Sequence, residues 1–243
     1  MRVIIPAAGL GSRMMPYTRY LPKAMLPVGI QTPIARLLSQ LRSNNITDIL
    51  IITGHQTLSL TDYVRDEFPD LNIEFVYNDR YYDMNNIYSL YLAGFYCIGD
   101  DVLIINSDLM LCAELIKRVA EELPDFVLVD KDVELTRDAT KVSVTKSNYI
   151  YRISKDIDLS ISHAESIGVI KLSKESAERY FLKVAQFIER GDHKVWYPYA
   201  LDGLLNELRV QALFADGLTW CEIDTPNDYK RAIDLFADKG FNE

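Results

Sequence analysis

Cysteine is scarce, with three in 243 residues (Cys97, Cys112 and Cys221). They are odd in number, widely spaced and without nearby histidine partners. That excludes a disulfide framework and a zinc pattern, and it reads as buried thiols in a reducing cytoplasm. Histidine is as scarce: His55 follows a strand end, while His163 and His193 sit in polar loops, so none stands in a catalytic pattern. Basic charge is in deficit, 26 Lys and Arg against 35 Asp and Glu for a net −9. A nucleic-acid binder needs the reverse balance to release counterions, so no nucleic-acid partner is expected. No apolar run reaches the ~18–20 residues that cross a bilayer, and Met1 leads straight into a strand-like segment instead of a signal peptide. The expectation is a cytoplasmic protein with no membrane insertion. Internal repeats, low-complexity tracts and linkers are also lacking.

What is present is a 49% hydrophobic chain, long enough to bury a core. Strand-length apolar runs alternate with helix-period segments through the first half. Val3–Ile5, Ile49–Ile52, Ile73–Val76, Val102–Ile105 and Phe126–Val129 read as strands. Helices are expected from Thr32-Pro33 to about Ser43, near 57–67, over Asn86–Tyr96 and near 112–122. Runs that are apolar throughout are buried on both faces, and alternation with helices signals a doubly wound, mostly parallel α/β sheet. Beyond residue 130 the pattern turns mixed α+β. Lys141–Thr145 and Tyr149–Ile153 alternate with period two, as in a hairpin, and helical spacing returns at 173–189 and near 199–208. Val210–Phe214 and Leu218–Cys221 read as short strands, and Thr225-Pro226-Asn227-Asp228 caps a last helix to Phe236. The division expected is one domain over 1–243: a core at 1–130, an insertion at 131–215 and a core-completing segment at 216–243.

The segment Ala7-Ala8-Gly9-Leu10-Gly11-Ser12-Arg13 follows the first strand directly. Ligands of parallel sheets bind at the carboxyl ends of strands, and Gly9 and Gly11 allow the backbone to approach a phosphate. The dinucleotide fingerprint fails, because position 14 is Met14 and no ribose-binding acid follows at Gly29–Pro33. A long proline-punctuated loop comes next, with Arg13 and Lys23 as its cations, and loops this long are usually functional. The whole reads G-x-G-[ST]-R-x-x-P-x-T-x-x-x-P-K-x-x-x-P-V. It resembles the nucleotidyltransferases that make activated sugars and alcohols from a nucleoside triphosphate and a phosphate ester. The one departure is Ser12, where threonine is commoner and the hydroxyl is kept.

A second stretch, Tyr77-Asn78-Asp79-Arg80-Tyr81 followed by Asn85-Asn86-Ile87-Tyr88-Ser89-Leu90-Tyr91-Leu92, is similar to the phosphocholine cytidylyltransferases. The resemblance implies a nucleotide-diphospho-sugar transferase-like fold and CTP as donor. It places Ala8, Gly9, Gly11, Ser12, Asn85, Asn86 and Ser89 at the nucleotide, with Arg13 and Lys23 catalytic. Asn85 and Asn86 also suit capping the helix that follows. Asp108, ending the fourth strand, and Asp224, before the last helix, match the two aspartates that hold Mg²⁺ in that family. Mg²⁺ needs no more than one or two protein carboxylates. Glu165, Lys155, Trp196 and Tyr199 are the acceptor-side candidates, because aromatic faces and a carboxylate recognise a quaternary ammonium.

The implied partners are CTP and a small phosphate-ester or phosphonate acceptor, phosphocholine first, with a homo-oligomer left open. Aminoethylphosphonate, a phosphorylated amino acid, inositol phosphate or a sugar-1-phosphate stay open as acceptors, as does a non-catalytic nucleotide-binding module.

Overall fold

Runs of branched residues with no polar alternation set the strands. Val3–Ile5, Ile49–Ile52 and Val102–Ile105 are all fully buried in a computed structural model of the chain, which describes residues 1–240. In chain order the elements are β1 (Arg2–Ala7), α1 (Pro33–Ser43), β2 (Asp48–Thr53), α2 (Thr57–Glu67), β3 (Asn72–Tyr77), α3 (Ile87–Gly94), β4 (Val102–Ile105) and β5 (Leu109–Leu111). There follow α4 (Ala113–Glu121), β6 (Phe126–Asp130), β7 (Lys141–Val144), β8 (Ile150–Ser154), β9 (Ala164–Leu172), α5 (Lys174–Glu189), α6 (Pro198–Asp202), β10 (Gln211–Phe214), β11 (Trp220–Glu222) and α7 (Pro226–Phe236).

The chain forms two compact units. The first comprises Met1–Asp83, Ile105–Glu122 and the segment from Leu218 onward; the second comprises Met84–Ile104 and Leu123–Gly217. This division departs from the linear one at 1–130, 131–215 and 216–243. Residues 84–104 and 123–130 pack with the insertion, while the last segment joins the first.

In the first unit β1, β2 and β3 are parallel, with Ile5 opposite Ile51 and Ile51 opposite Phe75. Helices end where the sequence punctuates them. The Thr32 side chain accepts from the Ala35 N–H to start α1, and Thr225 and Asp228 form a reciprocal capping box for α7, each with proline in the first turn. An antiparallel pair, β5 with β11, sets Glu222 opposite Leu109 and Cys221 opposite Met110. A satellite core underlies this pair and joins it to the first long loop: Met14, Leu26 and Val28 pack with Met110, Ile223 and Phe236.

In the second unit β10 runs parallel to β6, and β6 is antiparallel to β9. The β7–β8 hairpin forms as its alternation requires, and β7 adds to β9. Helix α5 packs on α3 and α6. The nine-residue β9 is the main element that periodicity misses. Glu165, Ser166, Gly168 and Lys171 break its apolar run, yet neighbouring strands cover it. The short helix expected near 199–208 stops at Asp202. Among the described residues no helix is long and apolar enough to cross a membrane.

Candidate active site

The loop after β1 is shaped by one glycine and left open by another. Gly11 has φ +61°, and a Cβ there would lie 2.9 Å from the Thr18 methyl, so only glycine fits. The Thr18 hydroxyl donates to the Gly11 carbonyl at 2.8 Å and closes the turn. At Gly9 nothing lies within 4 Å of an added Cβ and φ is not left-handed. Its missing side chain therefore serves neither strain nor internal packing, and it leaves the backbone approachable from outside. Buried Ala8 is pinned by the His55 backbone N–H, which donates to its carbonyl at 3.0 Å, and His55 Nε2 lies 2.7 Å from the Thr18 carbonyl. His55 therefore holds Ala8 and Thr18 together across the loop. Ser12 and Arg13 occupy an exposed helical turn.

Asp108, Asp224, Arg13 and Lys23, dispersed over some two hundred residues of chain, come together in the first unit. Lys23 Nζ donates to Asp224 Oδ1 at 2.6 Å and also bonds Asp108 Oδ2, while Arg13 reaches Asp224 Oδ2 at 2.8 Å. Asp108 does not end β4, as expected, but stands in the turn between β4 and β5. The Ile223 N–H donates to its carbonyl at 3.0 Å, which fixes Asp108 beside the strand that leads to Asp224. Asp224 lies just outside the α7 capping box, whose cap is Thr225.

Glu222 is a third carboxylate that sequence reasoning did not assign. One ligand oxygen from each of Asp108, Glu222 and Asp224 lies within 4.8 Å of the others. Its signal was the i, i+2 spacing from Asp224, which directs two side chains of an extended segment to one face. Three hard oxygen donors at this spacing suit a divalent cation such as Mg²⁺. Burial alone pulls the Lys23 ammonium down, but the Asp108 and Asp224 charges and hydrogen bonds reverse this and hold it above the ordinary lysine range.

The remaining candidates lie in the second unit. Asn85 and Asn86 do not cap α3 through their side chains. Asn85 donates from its backbone to the His193 carbonyl at 2.8 Å and from Nδ2 to the Lys194 carbonyl at 3.1 Å. Asn86 Oδ1 accepts from the Tyr197 N–H at 3.0 Å. The pair thus tethers the segment carrying Trp196, which explains two asparagines where a cap explains one. Ser89 is buried on α3. The Tyr180 hydroxyl secures the same segment at the Tyr197 carbonyl, 3.2 Å away. Lys155 Nζ sits 4.1 Å over the Trp196 ring, and the Tyr199 hydroxyl donates to Asp156 at 2.6 Å. Burial and Asp156 push that hydroxyl up, so it stays a donor. Glu165 lies on β9, in register with Asp130 on β6 and Lys141 on β7. Nearby, the Asp202 carboxylate is taken up by Arg152 and the Ile153 N–H.

Residues 3–135 match the family described as the MobA-like NTP transferase domain. Choline-phosphate cytidylyltransferase of Streptococcus pneumoniae is 25% identical, the match covering 98% of this chain and 100% of that protein. A CTP:phosphoglutamine cytidylyltransferase of Campylobacter jejuni is 26% identical over 96% of this chain and 100% of its own length. The solved structure of CTP:phosphocholine cytidylyltransferase from Streptococcus pneumoniae superposes with a TM-score of 0.80 at 25% identity, covering 96% of this chain and 98% of that one. The fold is that of the nucleotide-diphospho-sugar transferases, with the mostly parallel sheet expected.

Proposed function

The chain belongs to the MobA-like NTP transferase domain family, and on that premise we propose that it transfers a cytidylyl group from CTP to phosphocholine, releasing pyrophosphate. The observation that carries this reading is the convergence of Lys23 and Arg13 on Asp108 and Asp224, both cations coming from the loop that also leaves the Gly9 backbone open. Cations, carboxylates and exposed amides together are what a triphosphate and its metal require. The acceptor rests on the likeness to the phosphocholine enzyme over nearly the whole of both chains.

An oxygen of the acceptor's phosphate attacks the α-phosphorus of CTP. A new P–O bond forms there, the bond from the α-phosphorus to the bridging oxygen breaks, and the electron pair leaves with pyrophosphate. The attacking phosphate is largely ionised at neutral pH, its second pKa being about 6, so no general base is needed. The protein's part is positioning and charge neutralisation. Lys23 takes the α-phosphate and the incoming phosphate, Arg13 the outer phosphates, and the amides around Gly9 and Gly11 orient the chain of phosphates. Asp108, Asp224 and Glu222 would hold Mg²⁺, which supplies further neutralisation of the triphosphate's charge when bound.

Pyrophosphate release, measured with CTP, UTP and dTTP against a panel of phosphate, phosphonate and sugar-1-phosphate acceptors, tests the reading. It expects CTP with phosphocholine to be fastest. Faster turnover with UTP and a sugar-1-phosphate, or nucleotide binding with no release on any acceptor, would overturn it.

A further inference from the structure

Asp224 has both carboxylate oxygens engaged by cations of the chain itself. Oδ1 accepts from Lys23 at 2.6 Å and Oδ2 from Arg13 at 2.8 Å, while Lys23 also bonds Asp108. Lys23 thus holds one oxygen of each aspartate, Asp108 Oδ2 and Asp224 Oδ1, in the cluster where an inner-sphere Mg²⁺ would need carboxylate oxygens at about 2.1 Å. An ammonium and a divalent cation on the same two oxygens would stand within a few ångströms of one another, and their repulsion in a partly buried site is severe. Charge counting points the same way. Three carboxylates with Lys23 and Arg13 leave a net charge of −1, and withdrawal of Lys23 leaves −2, which a divalent cation cancels. The lysine is the confined competitor, its side chain 17% exposed against 56% for Arg13.

We propose that Lys23 and the divalent cation are alternative counter-ions for Asp108 and Asp224, so that metal enters only as Lys23 withdraws. This rests on the nucleotidyl-transfer reading for what draws Lys23 away: the nucleotide's phosphates offer the ammonium a new partner and free the carboxylates for the metal in one exchange. Metal alone then binds weakly, and metal with nucleotide binds well. The lysine also keeps the carboxylates neutralised between turnovers.

The test needs no turnover. Mn²⁺ alone is titrated into the full chain and free Mn²⁺ is followed by electron paramagnetic resonance, for wild type, Lys23→Met and Lys23→Arg. Lys23→Met is expected to bind Mn²⁺ at least ~10-fold more tightly than wild type, because the competing charge is gone. Lys23→Arg keeps the charge and should stay weak, and Asp224→Asn added to Lys23→Met should abolish the gain. A Lys23→Met chain that folds only when Mn²⁺ is present also supports the exchange. A folded Lys23→Met chain with wild-type Mn²⁺ affinity overturns it. If Lys23→Met does not fold even with Mn²⁺, labelling of wild type decides: reductive methylation of Lys23, read by mass spectrometry, should rise as Mn²⁺ alone is raised to saturation and fall back on chelation. Unchanged labelling refutes the exchange. Absence of pyrophosphate release with intact metal competition would instead count against the reaction assigned above.

Discussion

Lys23 and Asp108 are where the chemistry concentrates at the scale of single residues. Both are largely buried and they bond each other; on the reading proposed above, both stand where charge builds up in the reaction. Replacing Asp108 by Asn or Lys23 by Ala should lower kcat by roughly 10²-fold or more, the range seen when one electrostatic stabiliser of a transition state is removed. Near-normal turnover in either variant contradicts the assignment. The pH dependence follows from the same residues. Turnover should fall below about pH 6, where the acceptor phosphate takes up its second proton. On the basic side, the folded Lys23 ammonium titrates above its unfolded value. The stability it contributes is therefore fully present below about pH 10.4 and is lost only as pH rises through the folded value. A pH–rate profile with a basic limb near neutrality would show that some other group is essential. Most of these residues were legible because the signature fixes residue type and spacing at once. Glu222 was not, since its spacing from Asp224 says nothing of Asp108, and the β5–β11 register that brings the three together is a long-range fact.

Helix α7 shows how an element positions a site it only partly enters. Its cap residue Thr225 follows Asp224 directly, and one turn on, the Tyr229 hydroxyl donates to the Pro27 carbonyl at 2.6 Å. The same ring meets Tyr17 edge-on, with centroids 5.6 Å apart. One side chain thus grips the signature loop on both sides of Lys23. Tyr229→Phe keeps the ring and loses the hydroxyl. It should lower kcat by about 10-fold through misplacement of Lys23, while Tm falls by no more than about 4 °C, as one hydrogen bond in a chain of this size implies. An unchanged kcat would make Tyr229 a packing residue only. Element boundaries were well legible where periodicity and caps agree, as in α1 and α7, whose ends fall at the expected residues. They failed in β9, whose polar interruptions are compensated by strands on its flanks, and at α3, where the asparagines serve the 193–197 segment instead of the helix end.

Across the whole molecule, the net charge of −9 and the three sparse histidines describe a protein that handles anions with a few placed cations. Bulk composition disfavours nucleic-acid binding and says nothing of where those cations sit; only the fold does that. Aromatic faces are the expected ammonium-binding surface, yet the Trp196 face already carries Lys155, so a cationic acceptor bound on that face would have to displace a lysine. Because Lys23 and Arg13 neutralise the carboxylates, chelating divalent cations should abolish turnover while the circular dichroism spectrum stays unchanged, and readdition of Mg²⁺ should restore it. Loss of folded signal on chelation would make the metal structural. The most direct test of the central claim is phosphorus NMR of the full chain with CTP, Mg²⁺ and phosphocholine. The account predicts that the phosphocholine resonance is replaced by the paired resonances of a pyrophosphate diester, with free pyrophosphate appearing in equal amount. Release of inorganic phosphate alone, or an unchanged phosphocholine resonance while another acceptor is consumed with a different nucleotide, would contradict it.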